Sequence, residues 1–219
     1  MTMNSNKLAG RRAVLALAST GLLAATVPWA SPAQAGDTRG AVAPIAQLDG
    51  ALIAAMKASS RGAPVSTRYA ALQPVIEQVF DLESVLAASV GFSWLTLPSR
   101  QKAALMTAFR RYTVATYVAN FNGYDGQRFE IAPGVREVGN GEVVVRTRLN
   151  RRNRSPVKLA YVMRQGPAGW QAVDVLTDGS ISRVAVQRSD FQELLASGGA
   201  PALAAALKRK AATLSIGAA

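Results

Sequence analysis

Across its 219 residues the chain carries 25 Lys/Arg against 13 Asp/Glu, a formal charge of +12, and contains neither cysteine nor histidine. A Ser/His/Asp triad, a Cys/His pair, an imidazole or thiolate metal site and a dithiol redox site are therefore excluded, and no disulfide can support the fold.

The first residues read as an export signal. Lys7, Arg11 and Arg12 form a positive n-region, the Ala/Leu-rich run Ala13 to Val27 follows, and Pro28 and Pro32 close it. Ala33-Gln34-Ala35 then has the small–x–small pattern of a cleavage site, which predicts a signal peptide over 1–35 and a mature chain from Gly36. The apolar run is about fifteen residues, short of the ~20 a membrane-spanning helix needs. Export by the Sec route fits, and Arg11-Arg12 also permits the twin-arginine (Tat) route. Periplasmic localisation is expected. About 184 residues remain after cleavage, with 22 basic against 13 acidic side chains. That length predicts a single domain, 36–219, with a real core.

From Pro44 to Lys57, Ile45, Leu48, Leu52 and Met56 recur at helical spacing, and Arg61-Gly62-Ala63-Pro64 breaks the pattern. A second helix is predicted from Ser66 to about Gln78, with Tyr69, Leu72, Ile76 and Val79 on one side. Asp81 caps a short third helix that Gly91 ends. After the aromatic connection Phe92-Ser93-Trp94-Leu95, Pro98 lies in the first turn of the longest helix, where its missing N–H costs nothing, and that helix runs to about Asn120. Leu105, Phe109, Tyr112 and Thr116, beside Met106, Thr113, Tyr117 and Phe121, make an apolar face too wide for a coiled-coil seam.

Asn122-Gly123-Tyr124-Asp125-Gly126 is a turn cluster, beyond which the period changes to two. Phe129 and Ile131 suggest a short strand, and Asn140-Gly141 a hairpin turn. Glu142 to Asn150 alternates, with Val143, Val145, Thr147 and Leu149 opposite Val144, Arg146 and Arg148. Pro156 to Arg164 repeats this, with Val157, Leu159, Tyr161 and Met163 on one face. Trp170 to Thr177 is a third strand, and Gly179-Ser180-Ile181-Ser182 continues the sheet. Ser189 and Gln192 have capping-box spacing, predicting a helix from about Asp190 that Ser197-Gly198-Gly199 ends; Pro201 opens a last helix through Lys210. The fold class is α+β: a curved antiparallel sheet of about four strands, covered on one face by several helices.

The facing apolar surfaces of sheet and long helix have two readings: an ordinary core, or the lining of a cavity where the helices stand off the sheet. Periodicity does not separate them. Eight basic residues, Arg136, Arg146, Arg148, Arg151, Arg152, Arg154, Lys158 and Arg164, fall within 29 positions. They form a solvated face, or a docking surface for anionic headgroups or an acidic partner, each cation near such a surface being worth ~1 kcal/mol. Nucleic acid is not expected, because no aromatic residues interleave with the loop arginines for base stacking. Asp174, between Val173 and Val175, is either a hydrogen-bonded structural carboxylate or the general base of a small α+β enzyme acting on a hydrophobic substrate.

An ordered set of segments adds to this. Arg68-Tyr69 with Leu72, Val75, Val79 and Phe80-Asp81 comes first, then Leu95-Thr96-Leu97-Pro98, Phe109-Arg110-Arg111-Tyr112 and Tyr117. Gly123-Tyr124, Trp170 to Val175, Gly179-Ser180-Ile181-Ser182 and Ser189-Asp190-Phe191 follow. In order and spacing they resemble the MlaC family, also called toluene-tolerance proteins, over about Arg39 to Lys210. Val90-Gly91-Phe92-Ser93-Trp94 and Gln187 to Phe191 look closer to its hopanoid-associated HpnM branch.

The resemblance implies an NTF2-like/MlaC-like fold with an apolar cavity between its layers, no cofactor, no metal and no catalytic residues. It also implies a monomeric carrier of phospholipid or hopanoid lipid, serving an outer-membrane lipoprotein complex and an inner-membrane ABC transporter complex. The lining expected from it takes Leu72, Val75, Ile76 and Val79 from the second helix, and Leu86, Phe92 and Trp94 from the next segment. Leu105, Phe109, Tyr112 and Tyr117 come from the long helix. Val143, Val145, Leu149, Leu159, Tyr161, Met163, Val173, Val175 and Ile181 come from the strands. Arg146, Arg148, Arg151, Arg152 and Arg154 are the expected headgroup or partner contacts, and the arginine-dense loop among them departs from the family pattern.

Overall fold

The computed structural model describes residues 38–217; the expected signal peptide over 1–35 lies outside them. The described residues form six α-helices and a six-stranded antiparallel sheet.

The helical part comes first. A 3-10 turn, Thr38–Ala41, leads into α1 (Val42–Ser60), and α2 (Val65–Val79) folds back against it. Asp81 caps α3 (Leu82–Val90) by accepting from the Ser84 N–H at 3.0 Å. The aromatic connection is itself a single helical turn, α4 (Ser93–Thr96). Pro98 then stands at the N-cap of α5 (Ser99–Asn120).

Six strands follow: β1 (Arg128–Ile131), β2 (Arg136–Gly139), β3 (Glu142–Arg151), β4 (Arg154–Gly166), β5 (Gly169–Thr177) and β6 (Ile181–Ser182). The sheet order is β1-β3-β4-β5-β6, with β2 sharing the β3 edge with β1. The three long strands are those the alternation predicts, and short β1, β2 and β6 extend the sheet at its margins. Asn140 and Gly141 both have positive φ, +53° and +71°, as the two-residue β2–β3 turn requires.

The last element departs from expectation. Helix α6 (Arg183–Gly217) begins seven residues before Asp190 and continues past Lys210, broken at Gly198 and Gly199. Its start is set by Ser182, whose Oγ accepts from the Ala185 N–H at 2.9 Å, and by Asp174, which accepts from the Val184 N–H at 3.1 Å. Ser189 therefore lies inside the helix and the capping-box reading fails.

The core lies between the helices and the inner sheet face. Ile45, Leu48, Leu72, Ile76, Leu86, Leu105, Leu203 and Leu207 are all essentially inaccessible. Each such side chain contributes about 1.5–3 kcal/mol by burial. The α2–α3 junction is pinned to β5: Phe80 bridges Ala172, the Asp81 N–H donates to Ala172 O at 3.1 Å, and Gln171 Nε2 donates to Gln78 O at 3.0 Å. That pinning turns the Phe80 ring inward.

Candidate functional site: an apolar cavity with a basic rim

The sheet's inner face behaves differently at its two ends. At one end Val143, Val145 and Met163 are sealed in the core, at 2%, 1% and 0% exposure. At the other, Leu149, Val157, Leu159 and Tyr161, with Val175 and Thr177 of β5, line an open cavity of about 780 Å³. The register explains the grouping, since Leu149 pairs with Val157, Leu159 with Thr177 and Tyr161 with Val175. With a period of two, all six point to the helical layer.

Helix α5 supplies the facing wall. Phe109, Thr113, Thr116 and Asn120 follow one another at three- and four-residue spacing, with Tyr112, Tyr117 and Phe121 beside them. Phe80, Leu82 and Val85 close one side and Met56 an end; the start of α6 contributes Arg183, Val184 and Gln187. A run of rings stiffens this wall. Phe80 lies 5.7 Å from Tyr117 and 6.4 Å from Tyr161 between centroids, and Tyr117 stacks on Phe121 at 5.9 Å. Thr113 Oγ1 is buried without a hydrogen-bond partner among the described residues.

Burial pushes the Tyr161 and Tyr117 phenols well up from their usual range; at Tyr117 Arg183 works against the rise and Asp49 adds to it. Asp49, on α1, is only 6% exposed and neither of its oxygens has a hydrogen-bond partner among the described residues. Burial pushes it up to about 7. Sequence reading did not single it out, because one acidic residue within an amphipathic helix looks like a solvated position.

Of the lining expected from sequence, Phe109, Tyr112, Tyr117, Leu149, Leu159, Tyr161 and Val175 surround the cavity. Leu72, Ile76, Val79, Leu86, Leu105, Val143, Val145 and Met163 lie in the close-packed core instead, where Val75 packs against them. Trp94 is also a core residue, with the Lys102 ammonium 5.5 Å from its ring centroid. Val173 is the unpaired residue of a bulge: Met163 pairs with Ala172 and Val162 with Asp174, which breaks the alternation that would set Val173 beside Val175. Phe92 and Ile181 are at the surface, 84% and 50% exposed. Arg151 and Arg154 reach the cavity rim; Arg146, Arg148 and Arg152 are exposed away from it.

Asp174 borders the cavity, but its carboxylate is engaged. Oδ1 accepts from the Val175 N–H at 2.7 Å and the Val184 N–H at 3.1 Å, and Oδ2 from Ser182 Oγ at 2.5 Å. Three donors thus occupy the carboxylate and tie it to β6 and the first turn of α6. Among the described residues no cluster of acidic side chains is arranged to hold a metal ion.

A helical layer standing off one end of a curved sheet, with a mostly apolar gap and cations among its lining, defines a pocket suited to an amphiphile. The comparisons place the chain more closely. Residues 47–209 match the model of the MlaC protein family, and the chain belongs to that family. Among solved structures it is similar to a phospholipid-binding protein from Ralstonia solanacearum, in complex with a phospholipid, at 22% identity. The match covers 80% of this chain and 98% of that one, with a TM-score of 0.68, and establishes a shared fold. No curated protein matches the chain.

Proposed function

We propose that this chain is a periplasmic lipid carrier that holds acyl chains in the cavity between α5 and the β3–β5 face and leaves the headgroup at the rim. The observation that carries the reading is the open, mostly apolar gap of about 780 Å³ beside a well-packed core. Membership of the MlaC family and the fold shared with a phospholipid-bound protein support it. An acyl chain of about sixteen carbons gains roughly 12 kcal/mol gross on leaving water. Retention therefore needs little polar machinery, and release needs a partner that opens the pocket or offers a competing one.

In this reading the N-terminal segment directs export, and the carrier moves phospholipid or a hopanoid-type lipid between an outer-membrane lipoprotein complex and an inner-membrane ABC transporter. The cavity residues Phe109, Tyr112, Tyr117, Leu149, Leu159, Tyr161 and Val175 hold the tails. Arg146 and Arg148 on the outer face, with Arg152 in the β3–β4 turn, serve partner docking. No reaction is required of the protein.

Lipid extraction and native mass spectrometry of the purified mature chain test this. A stoichiometric lipid, exchangeable with labelled vesicles, is expected. A preparation free of lipid that takes none from vesicles sinks the proposal.

A further inference from the structure

Core and cavity leave one apolar feature unexplained, at α4. Phe92 and Leu95 are 84% and 76% exposed, although both are large and apolar. Single apolar residues scattered over a surface need no explanation. These two are neighbours. Phe92 has helical φ and ψ at the N-cap of the turn, and Leu95 follows three residues later, a spacing that sets both on one face.

The turn is held from beneath. Trp94 is buried in the core, and Leu97 packs against that core. The Trp94 N–H donates to Gly91 O at 2.9 Å, and the Leu95 N–H to Phe92 O at 3.1 Å. Anchoring Trp94 and Leu97 thus fixes Phe92 and Leu95 in water.

Cations flank the pair. Arg188 of α6 rests on the residue before Phe92: a Cβ on Gly91 would lie 3.2 Å from Arg188 Nη2. Arg188 shares a helix stripe with Gln192, whose Nε2 donates to Val90 O at 3.2 Å, and helical spacing takes Asp190 and Glu193 off that stripe. Lys102 Nζ is 5.5 Å from the Trp94 ring centroid, and Arg100 is exposed in the first turn of α5.

A stable protein interface takes about 800 Å² from each partner, more than two side chains offer. The adjoining Ser93, Thr96 and Ser99 are exposed and polar, so the apolar patch does not extend. A bilayer asks for less: a few apolar groups inserted shallowly, with cations at headgroup level.

We propose that Phe92 and Leu95 form a wedge that inserts into the surface of an anionic bilayer, with Arg100, Lys102 and Arg188 among the headgroups. Neither apolar residue lines the cavity, so the wedge and the carrier reading stand or fall separately.

Co-sedimentation of the purified mature chain tests this, using vesicles of phosphatidylglycerol and phosphatidylcholine in equal amounts, and of phosphatidylcholine alone. The wild type is expected to bind the mixed vesicles at least about tenfold more strongly than the neutral ones. Phe92→Ser/Leu95→Ser should weaken binding to the mixed vesicles by at least about tenfold. Ile216→Ser, which removes an apolar side chain as exposed as Leu95, should keep the wild-type value. Thermal melts verify that each variant is folded. In Phe92→Trp, mixed vesicles should shift the emission to shorter wavelength by more than in the wild type.

Absence of wild-type binding to the mixed vesicles overturns the wedge and leaves the pair to a protein partner. Undiminished binding by the double variant overturns it too, as does an equal loss in Ile216→Ser, which would reduce the attraction to general surface hydrophobicity. Equal binding to both kinds of vesicle overturns the anionic assignment.

Discussion

Ser182 Oγ donates to Asp174 Oδ2 at 2.5 Å and in turn accepts from the Ala185 N–H at 2.9 Å, so one hydroxyl couples strand β5 to the first turn of α6. Asp174 completes the link through the Val184 N–H. Because α6 delivers Arg183, Val184 and Gln187 to the cavity, the pair fixes one wall of the pocket. Asp174→Ala removes three hydrogen bonds and is expected to cost about 2–3 kcal/mol. Asp174→Asn keeps an acceptor for the backbone donors and should cost about half as much. Urea denaturation measures both. Lipid content should persist in Asp174→Asn; its loss in a well-folded variant would put Asp174 in the binding step instead.

Asp49 predicts a pH dependence of stability. In the unfolded chain its carboxyl ionises near 3.8, whereas burial in the fold raises it to about 7. Below pH ~4 the proton is on in both states and the full contribution is present. Between about 4 and 7 the unfolded chain loses the proton while the folded chain keeps it, so stability declines with rising pH and levels off above 7. The difference is on the order of 4 kcal/mol. Asp49→Asn, which cannot ionise, should flatten that part of the profile and be relatively more stable at pH 8 than at pH 4.5. Parallel wild-type and variant profiles would show that Asp49 does not titrate in this window.

Val175 offers a way to block the pocket without breaking the fold. It is half-buried on the cavity wall, opposite Tyr161 in the sheet register. A larger side chain there grows into open space, not into packed neighbours, so the usual overpacking cost of about 1–3 kcal/mol is largely avoided. Val175→Trp is expected to lower co-purified lipid by at least half with a nearly unchanged melting temperature. Met163→Trp, aimed into the sealed end of the same sheet face, should unfold or strongly destabilise the protein.

The contrast between Val175 and Met163 also shows what sequence could and could not reveal. Two-residue alternation identifies the inner face of β3 and β4 correctly, because every residue there, from Val143 to Leu149, is apolar or buried. It carries no information about how far the helices stand from that face, so Met163 and Leu159 look alike although one is core and the other cavity wall. The stripe Phe109, Thr113, Thr116, Asn120 was a usable signal, since a core-facing helix rarely turns polar along its own buried side. Arg183, Val184 and Gln187 had no such signal: the cap that starts α6 includes Asp174, eight residues before Ser182 and on another strand, and the local capping-box spacing at Ser189 pointed elsewhere. Phe92 misled for the opposite reason. Its aromatic neighbour Trp94 is buried, but a single helical turn puts the two rings on different sides, leaving Phe92 in water.

The break in α6 supplies a last test. Gly199 sits at φ +63°, ψ −161°, a region open almost only to glycine. Gly198, at φ −168°, is extended backbone that any residue adopts, but a Cβ there would lie 2.7 Å from the Ala202 Cβ. The two glycines are thus required for different reasons, one conformational and one steric. Gly199→Ala should cost about 1–3 kcal/mol whatever surrounds it. The cost of Gly198→Ala should shrink when Ala202→Gly is added, beyond the small helix penalty of the second change, while Gly199→Ala should gain nothing from it. Denaturation midpoints of the two double-mutant cycles decide the matter: non-additivity in the first and additivity in the second is the expected pattern, and the reverse would mean that the kink is held by packing against Ala202 and not by the backbone geometry of Gly199.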